Sequence, residues 1–175
     1  MVDLNPGLDN LNAEMEGLAE MFFDNPESPT YNIAFLDKSK LDFSLASLEF
    51  VNTFLNSIHQ KLNDVPDIKM NALVLRTGAY LGEVIRRNSN HKKLQWISYE
   101  KASSLNSKIQ GIGESISTVA ILYEERKDQF FFPLGKVLKA LHFGHSEDLK
   151  AFAENTISQT TVFDKPNGKI TKIQF

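Results

Sequence analysis

The chain has 175 residues, a formal net charge of −3, 42% hydrophobic and 23% charged residues, and no cysteine. This length suits one domain with a real core, and the composition disfavours disordered, collagen-like or coiled-coil chains. Without cysteine there are no disulfides, thiolate catalysis or cysteine-ligated zinc, and the small net charge argues against nucleic acid as a partner.

Charge is distributed unevenly. Residues 1–29 carry Asp3, Asp9, Glu14, Glu16, Glu20, Asp24 and Glu27 with no Lys or Arg, which is −7 locally and leaves +4 for the rest. Leu8, Leu11, Met15, Leu18, Ala19 and Phe22 recur at helical spacing, so this segment is predicted to be an amphipathic helix, ended by Pro26 and Pro29. It is either packed on the core with a solvated acidic face or a detachable arm that docks on a partner. It has no basic, apolar leader pattern, and no later run approaches the ~18 apolar residues of a membrane span, so a cytoplasmic protein without membrane contact is expected.

Residues 31–36 suggest a short strand. Asp42 or Ser44 offers a cap for a helix over about 44–63, with Leu45, Leu48, Val51, Leu55, Ile58 and Leu62 on one stripe. A break at Asp64–Asp67 precedes a second helix over about 68–88, and the short connection predicts a helical hairpin. Residues 89–93 read as a polar turn, 94–99 as a strand holding Trp96, the sequence's only tryptophan, and 100–115 as ambiguous. Strands are expected at 117–124 and 129–132, where Phe130, Phe131 and Phe132 must alternate between faces. They are core if both faces are covered, and otherwise one belongs to an apolar patch.

Pro133 suits the first turn of a helix that stops at Gly144, and Ser146 is a cap for another. A Lys-Pro-Asn-Gly turn between residues 160–163 and 169–175 predicts a terminal hairpin. The expected architecture is a single α+β domain over 1–175, with the acidic helix at 1–29, the core at 31–157 and the C-terminal β-hairpin at 158–175. In it, a helical hairpin and flanking helices pack on a small, mainly antiparallel sheet.

The most distinctive stretch runs from Thr77 to Asn88. Gly78 and Gly82 are four apart on one helical face, where missing side chains admit close packing by a neighbour. Arg76, Tyr80, Glu83 and Arg87 form a second stripe, which either presents two guanidinium groups to a ligand or partner or is a solvated face. This Gly-Ala-Tyr-Leu-Gly-Glu helix ending in Arg86 and Arg87 is followed by a tryptophan strand and an aromatic strand entering Pro133-Leu134-Gly135-Lys136-Val137. Together they resemble a family of small bacterial domains of unknown function over roughly residues 41–157. Gly78, Tyr80, Gly82 and Glu83 match best, and the resemblance implies binding work, of the kind done beside secreted-toxin or stress systems, with no catalytic role attached.

Other constellations are weaker. His142, His145 and Glu147 have a spacing a metal can use, but Gly144 interrupts them and no His-Glu-x-x-His occurs, so no metal is expected. Gly111-Ile112-Gly113-Glu114-Ser115 lacks the remaining signature of a phosphate loop, and no Gly-x-Ser-x-Gly is present. The sequence therefore favours a non-enzymatic protein-interaction module of immunity or regulatory type, with no cofactor, acting through the Arg76/Tyr80/Glu83/Arg87 face and the acidic helix. The alternative is a small-molecule-binding protein or hydrolase with a pocket between helices and sheet, where Tyr80, Glu83 and His59 converge. Homodimer formation through a sheet edge is a third possibility.

Overall fold

A computed structural model describes residues 6–89, 94–161 and 173–174, with side chains over 10–89 and 94–159. Its helices are α1 (Pro6–Met21), α2 (Ser47–His59), α3 (Asp67–Asn88), α4 (Tyr99–Leu105), α5 (Ser107–Ile112), α6 (Pro133–Phe143) and α7 (Leu149–Thr161). Its strands are β1 (Leu94–Ser98), β2 (Ala120–Glu124), β3 (Gln129–Phe131) and β4 (Ile173–Gln174). The fold is α+β. The sheet runs β1-β2-β3-β4, antiparallel through β3 and parallel between β3 and β4, with Trp96 opposite Leu122 and Tyr123 opposite Phe130.

Strand alternation divides the apolar residues between two cores. Leu94, Trp96, Leu122 and Phe131 face the large core built with α1, α2, α3, α6 and α7. Ile97, Ile121, Phe130 and Phe132 face a smaller core closed by Ala102 of α4 and Ile109 of α5. All three consecutive phenylalanines are thus core. The acidic helix is packed: Met15, Ala19 and Phe22 are buried, and α1 lies against α3 and β1. α2 and α3 follow one another across the short break; α6 lies against both, and α1 is the other large neighbour of α3.

Several local expectations are corrected. Residues 31–36 are not a strand: Asn32 adopts φ +57°, and Ile33–Phe35 form a 3₁₀ turn that buries Ile33 and Leu36 at three-residue spacing. The ambiguous 100–115 segment is two short helices, started by the side chains of Ser98 and Asn106 accepting from the amides of Lys101 and Lys108. The cap of α7 is Asp148, accepting from the Lys150 and Ala151 amides, whereas Ser146 lies in the preceding 3₁₀ turn. α7 continues through Thr161, into the first predicted hairpin strand, and β4 pairs with β3. The rest of that hairpin and residues 90–93 of the polar turn lie outside the described residues.

Candidate functional site

The glycine face of α3 is filled from two sides. A Cβ on Gly78 would stand 2.9 Å from the Leu134 Cα, and one on Gly82 would stand 2.0 Å from Trp96 Cζ2. Gly78 therefore lets α6 approach the α3 backbone, and Gly82 makes the slot for the indole of β1. The adjoining N–H of that indole is held by Glu83, whose Oε1 accepts from Trp96 Nε1 at 2.9 Å and from Arg86 Nη1 at 2.6 Å. Glu83 is only 2% exposed, so these donors supply what water would otherwise give its carboxylate.

The stripe predicted on α3 exists, but most of it faces inward. Arg76 is buried and donates through Nη1 to the Ser28 carbonyl at 2.7 Å and to Thr30 Oγ1 at 3.3 Å, tying the segment after α1 to the core. Tyr80 is fully buried among Phe22, Phe23 and Phe43; its hydroxyl donates to Ser47 Oγ and accepts from the Phe43 amide. Burial pushes the Tyr80 phenol above its ordinary pKa, against the opposing effect of those hydrogen bonds. Of the four, only Arg87 reaches the surface. Three- and four-residue spacing cannot separate a solvated stripe from one covered by a neighbouring helix, and here α1 and the 43–47 turn provide the cover.

Arg87 sits in a seam between α1 and α3. Its Nη2 pairs with Glu16 Oε1 at 3.0 Å, its Nε lies 3.7 Å from Glu83 Oε2, and its Cζ is 3.7 Å from the centroid of Phe43. Both ends of the outer pair are well exposed, the side chains being 37% and 52% accessible for Arg87 and Glu16. One helical turn before Glu16, Asn12 Oδ1 accepts from the Trp96 backbone amide at 2.9 Å. The acidic helix and the arginine, two separate candidates in the sequence, therefore meet at one place, beside β1. Asn12, Glu16 as the specific partner of Arg87, and Phe43 are participants that the sequence did not single out. The acidic character of α1 was the only available signal.

A separate polar cleft of about 100 Å³ lies between α2 and the α6–α7 connection, lined in part by Asn52, Asn56, His145, Glu147 and Asp148. Asn52 and Asn56 are one helical turn apart; Asn52 donates to Asp148, and Asn56 lies 2.9 Å from His145 Nδ1. Lys136 pairs with Glu147 at 2.6 Å. Burial raises the Asp148 pKa, but bonds from Asn52 and from the Ala151 and Lys150 amides, with the charge of Lys136, outweigh it and leave the carboxyl below its ordinary value.

The predicted meeting of Tyr80, Glu83 and His59 is not formed. His59 Nδ1 instead donates to the Leu141 carbonyl at 2.9 Å, and its ring fills the space beside Gly144, which has φ +62°. Among the described residues, no group of three His, Cys, Asp or Glu side chains is placed to hold a metal ion, and no helix is long and apolar enough to cross a membrane. No family model matches the chain, and no curated protein or solved structure matches it.

Proposed function

We propose that this chain is a non-enzymatic protein-interaction module, of bacterial immunity or regulatory type, that works in the cytoplasm and engages a protein partner at the α1–α3 seam. The observation that carries this reading is the placement of Arg87: a half-exposed guanidinium stacked on Phe43 and paired with Glu16. Arginine and aromatic groups held rigid at a surface are the residue types that dominate binding energy at protein interfaces. The buried Glu83 beside it fixes the arginine's direction, so little side-chain freedom is lost on binding.

Charge reversal separates a binding role from an internal one. Arg87→Glu is expected to abolish complex formation with the native partner. Arg87→Glu combined with Glu16→Lys restores the outer pair in opposite polarity while the new carboxylate still faces Glu83, and is expected to regain only part of the lost stability and none of the binding. Wild-type levels of complex in both variants would sink the reading.

A small-molecule reading rests on a different place from the expected pocket between helices and sheet: Asn52, Asn56, His145 and Asp148 converge on the polar cleft between α2 and the α6–α7 connection. At about 100 Å³ the cleft falls below the ~300 Å³ usual for organic ligands, and suits a few waters or a very small polar molecule. A ligand retained through gentle purification and lost on Asn56→Leu would favour this second reading.

A further inference from the structure

The cleft between α2 and the α6–α7 connection is held open by bonds that leave little in it to rearrange. Asn52 Oδ1 accepts from the Leu149 amide at 2.9 Å, and its Nδ2 donates to Asp148 Oδ1 at 2.8 Å. The same Asp148 oxygen accepts from the amides of Lys150 and Ala151 at 2.8 and 3.1 Å. The opening amides of α7 are thereby used, so Leu149, Lys150 and Ala151 have no backbone donor to offer an anion. Across the turn, Gly144 holds φ +62° with the His59 ring packed where a side chain would stand, which fixes the backbone leading to His145 and Glu147.

What the lining leaves unused is mostly acceptor. Among the described residues, Asp148 Oδ2, Glu147 Oε1 and Asn56 Oδ1 have no hydrogen-bond partner, because the two carboxylates bond through their other oxygens and Asn56 through Nδ2. An amide nitrogen can only donate, so His145 Nδ1 accepts from Asn56 and the imidazole is neutral, with its proton on Nε2. Charge points the same way. Lys136 pairs with Glu147, and Lys150 with Glu49, which leaves Asp148 as a lining carboxylate without an ion pair among the described residues. The cleft thus joins about 100 Å³ of space to three unused acceptors and one uncompensated negative charge. No metal-binding group of three is formed there, whereas an N–H cation needs only acceptors and a single unit of charge.

We propose that this cleft is a site for a monovalent organic cation, a guanidinium or ammonium head group whose N–H donors are taken by Asp148 Oδ2, Glu147 Oε1 and Asn56 Oδ1. Because Asn52 and the α7 amides already hold Asp148 in place, little side-chain freedom is lost when the cation enters. The inference is independent of the α1–α3 seam; it rests on the second reading, whose ligand it specifies.

The probes are methylguanidinium chloride, methylammonium chloride, sodium acetate and acetamide, titrated into the full chain at constant ionic strength. NMR follows the Asn56 side-chain amide and the backbone amides of Lys150 and Ala151. The cations are expected to shift these signals saturably, half-saturating at about 1–10 mM, while acetate and acetamide give no saturable shift. Asn56→Ala is expected to weaken cation binding about tenfold. Lys136→Met, which leaves the second Glu147 oxygen unpaired, is expected to strengthen it about threefold, and a gain in affinity cannot come from a damaged fold. Tighter binding of N-acetyl-arginine methylamide than of methylguanidinium assigns the head group to a peptide side chain, and equal or weaker binding to a free small cation. Saturable binding of acetate or acetamide in place of the cations, or cation affinity unchanged in both variants, overturns the proposal and leaves the second reading standing. No saturable binding of any probe removes both.

Discussion

The Trp96 indole lies across Gly82, so close that a Cβ on the glycine would stand 2.0 Å from Cζ2 and 2.4 Å from Cη2. The ring has no room to retreat, because it is fully buried and its Nε1 is tied to Glu83. Gly82→Ala is therefore expected to destabilise the fold by about 3 kcal/mol or more, by overpacking and by tearing the indole from its acceptor. The denaturation midpoint in urea checks this. Near-wild-type stability would mean that the slot is looser than the contact distances imply.

Gly17→Ala should do the opposite. The position is helical, uncrowded and has no positive φ, so alanine is expected to add about 0.5–1 kcal/mol of stability. The same urea series reads both glycines, and a loss of stability at position 17 would reveal a role that its surroundings do not show.

Glu83→Gln keeps an acceptor for Trp96 but removes the charge that Arg86 and Arg87 share. The expected loss is about 1–3 kcal/mol, with Glu83→Ala worse because the indole N–H is then left unpaired. Tryptophan emission reports the site without ambiguity, since the chain contains one tryptophan. A red shift in Glu83→Ala greater than in Glu83→Gln is the expected order.

Tyr123 gives a prediction at alkaline pH. Burial, reinforced by Asp128, pushes its phenol from 10.0 up to about 12. The folded state thus keeps its proton after the unfolded state has lost one. The resulting stabilisation is complete below about pH 10 and is lost as pH rises through about 12. Tyr123→Phe should flatten the alkaline arm of the stability curve across that window; an unchanged arm would contradict this assignment.

Much of this arrangement was legible in the sequence because it rests on local rules. Helical spacing located α2, α3 and α6, strand-favouring residues and short apolar runs located the strands around Trp96, Ile121 and Phe131, and paired glycines announced close packing on α3. What escaped depends on neighbours distant in sequence. The Arg76/Tyr80/Glu83 stripe reads as a surface until α1 and the 43–47 turn cover it, since a polar side chain looks the same whether water or a buried donor satisfies it. The helices α4 and α5 span one or two turns each, too short for periodicity to speak, although Ser98 and Asn106 carried the capping signal. The 31–36 segment shows the reverse error, because its apolar residues suggested a strand while Asn32 turned the backbone left-handed.

The functional account turns on Arg87, and native mass spectrometry of gently purified protein from its own host tests it most directly. The expected result is a stoichiometric complex with a second protein, present for the wild-type chain and for Arg76→Met, and lost for Arg87→Glu. A complex that survives Arg87→Glu unchanged, or a chain that carries only a small molecule in the cleft beside Asn56 and His145, would contradict the account.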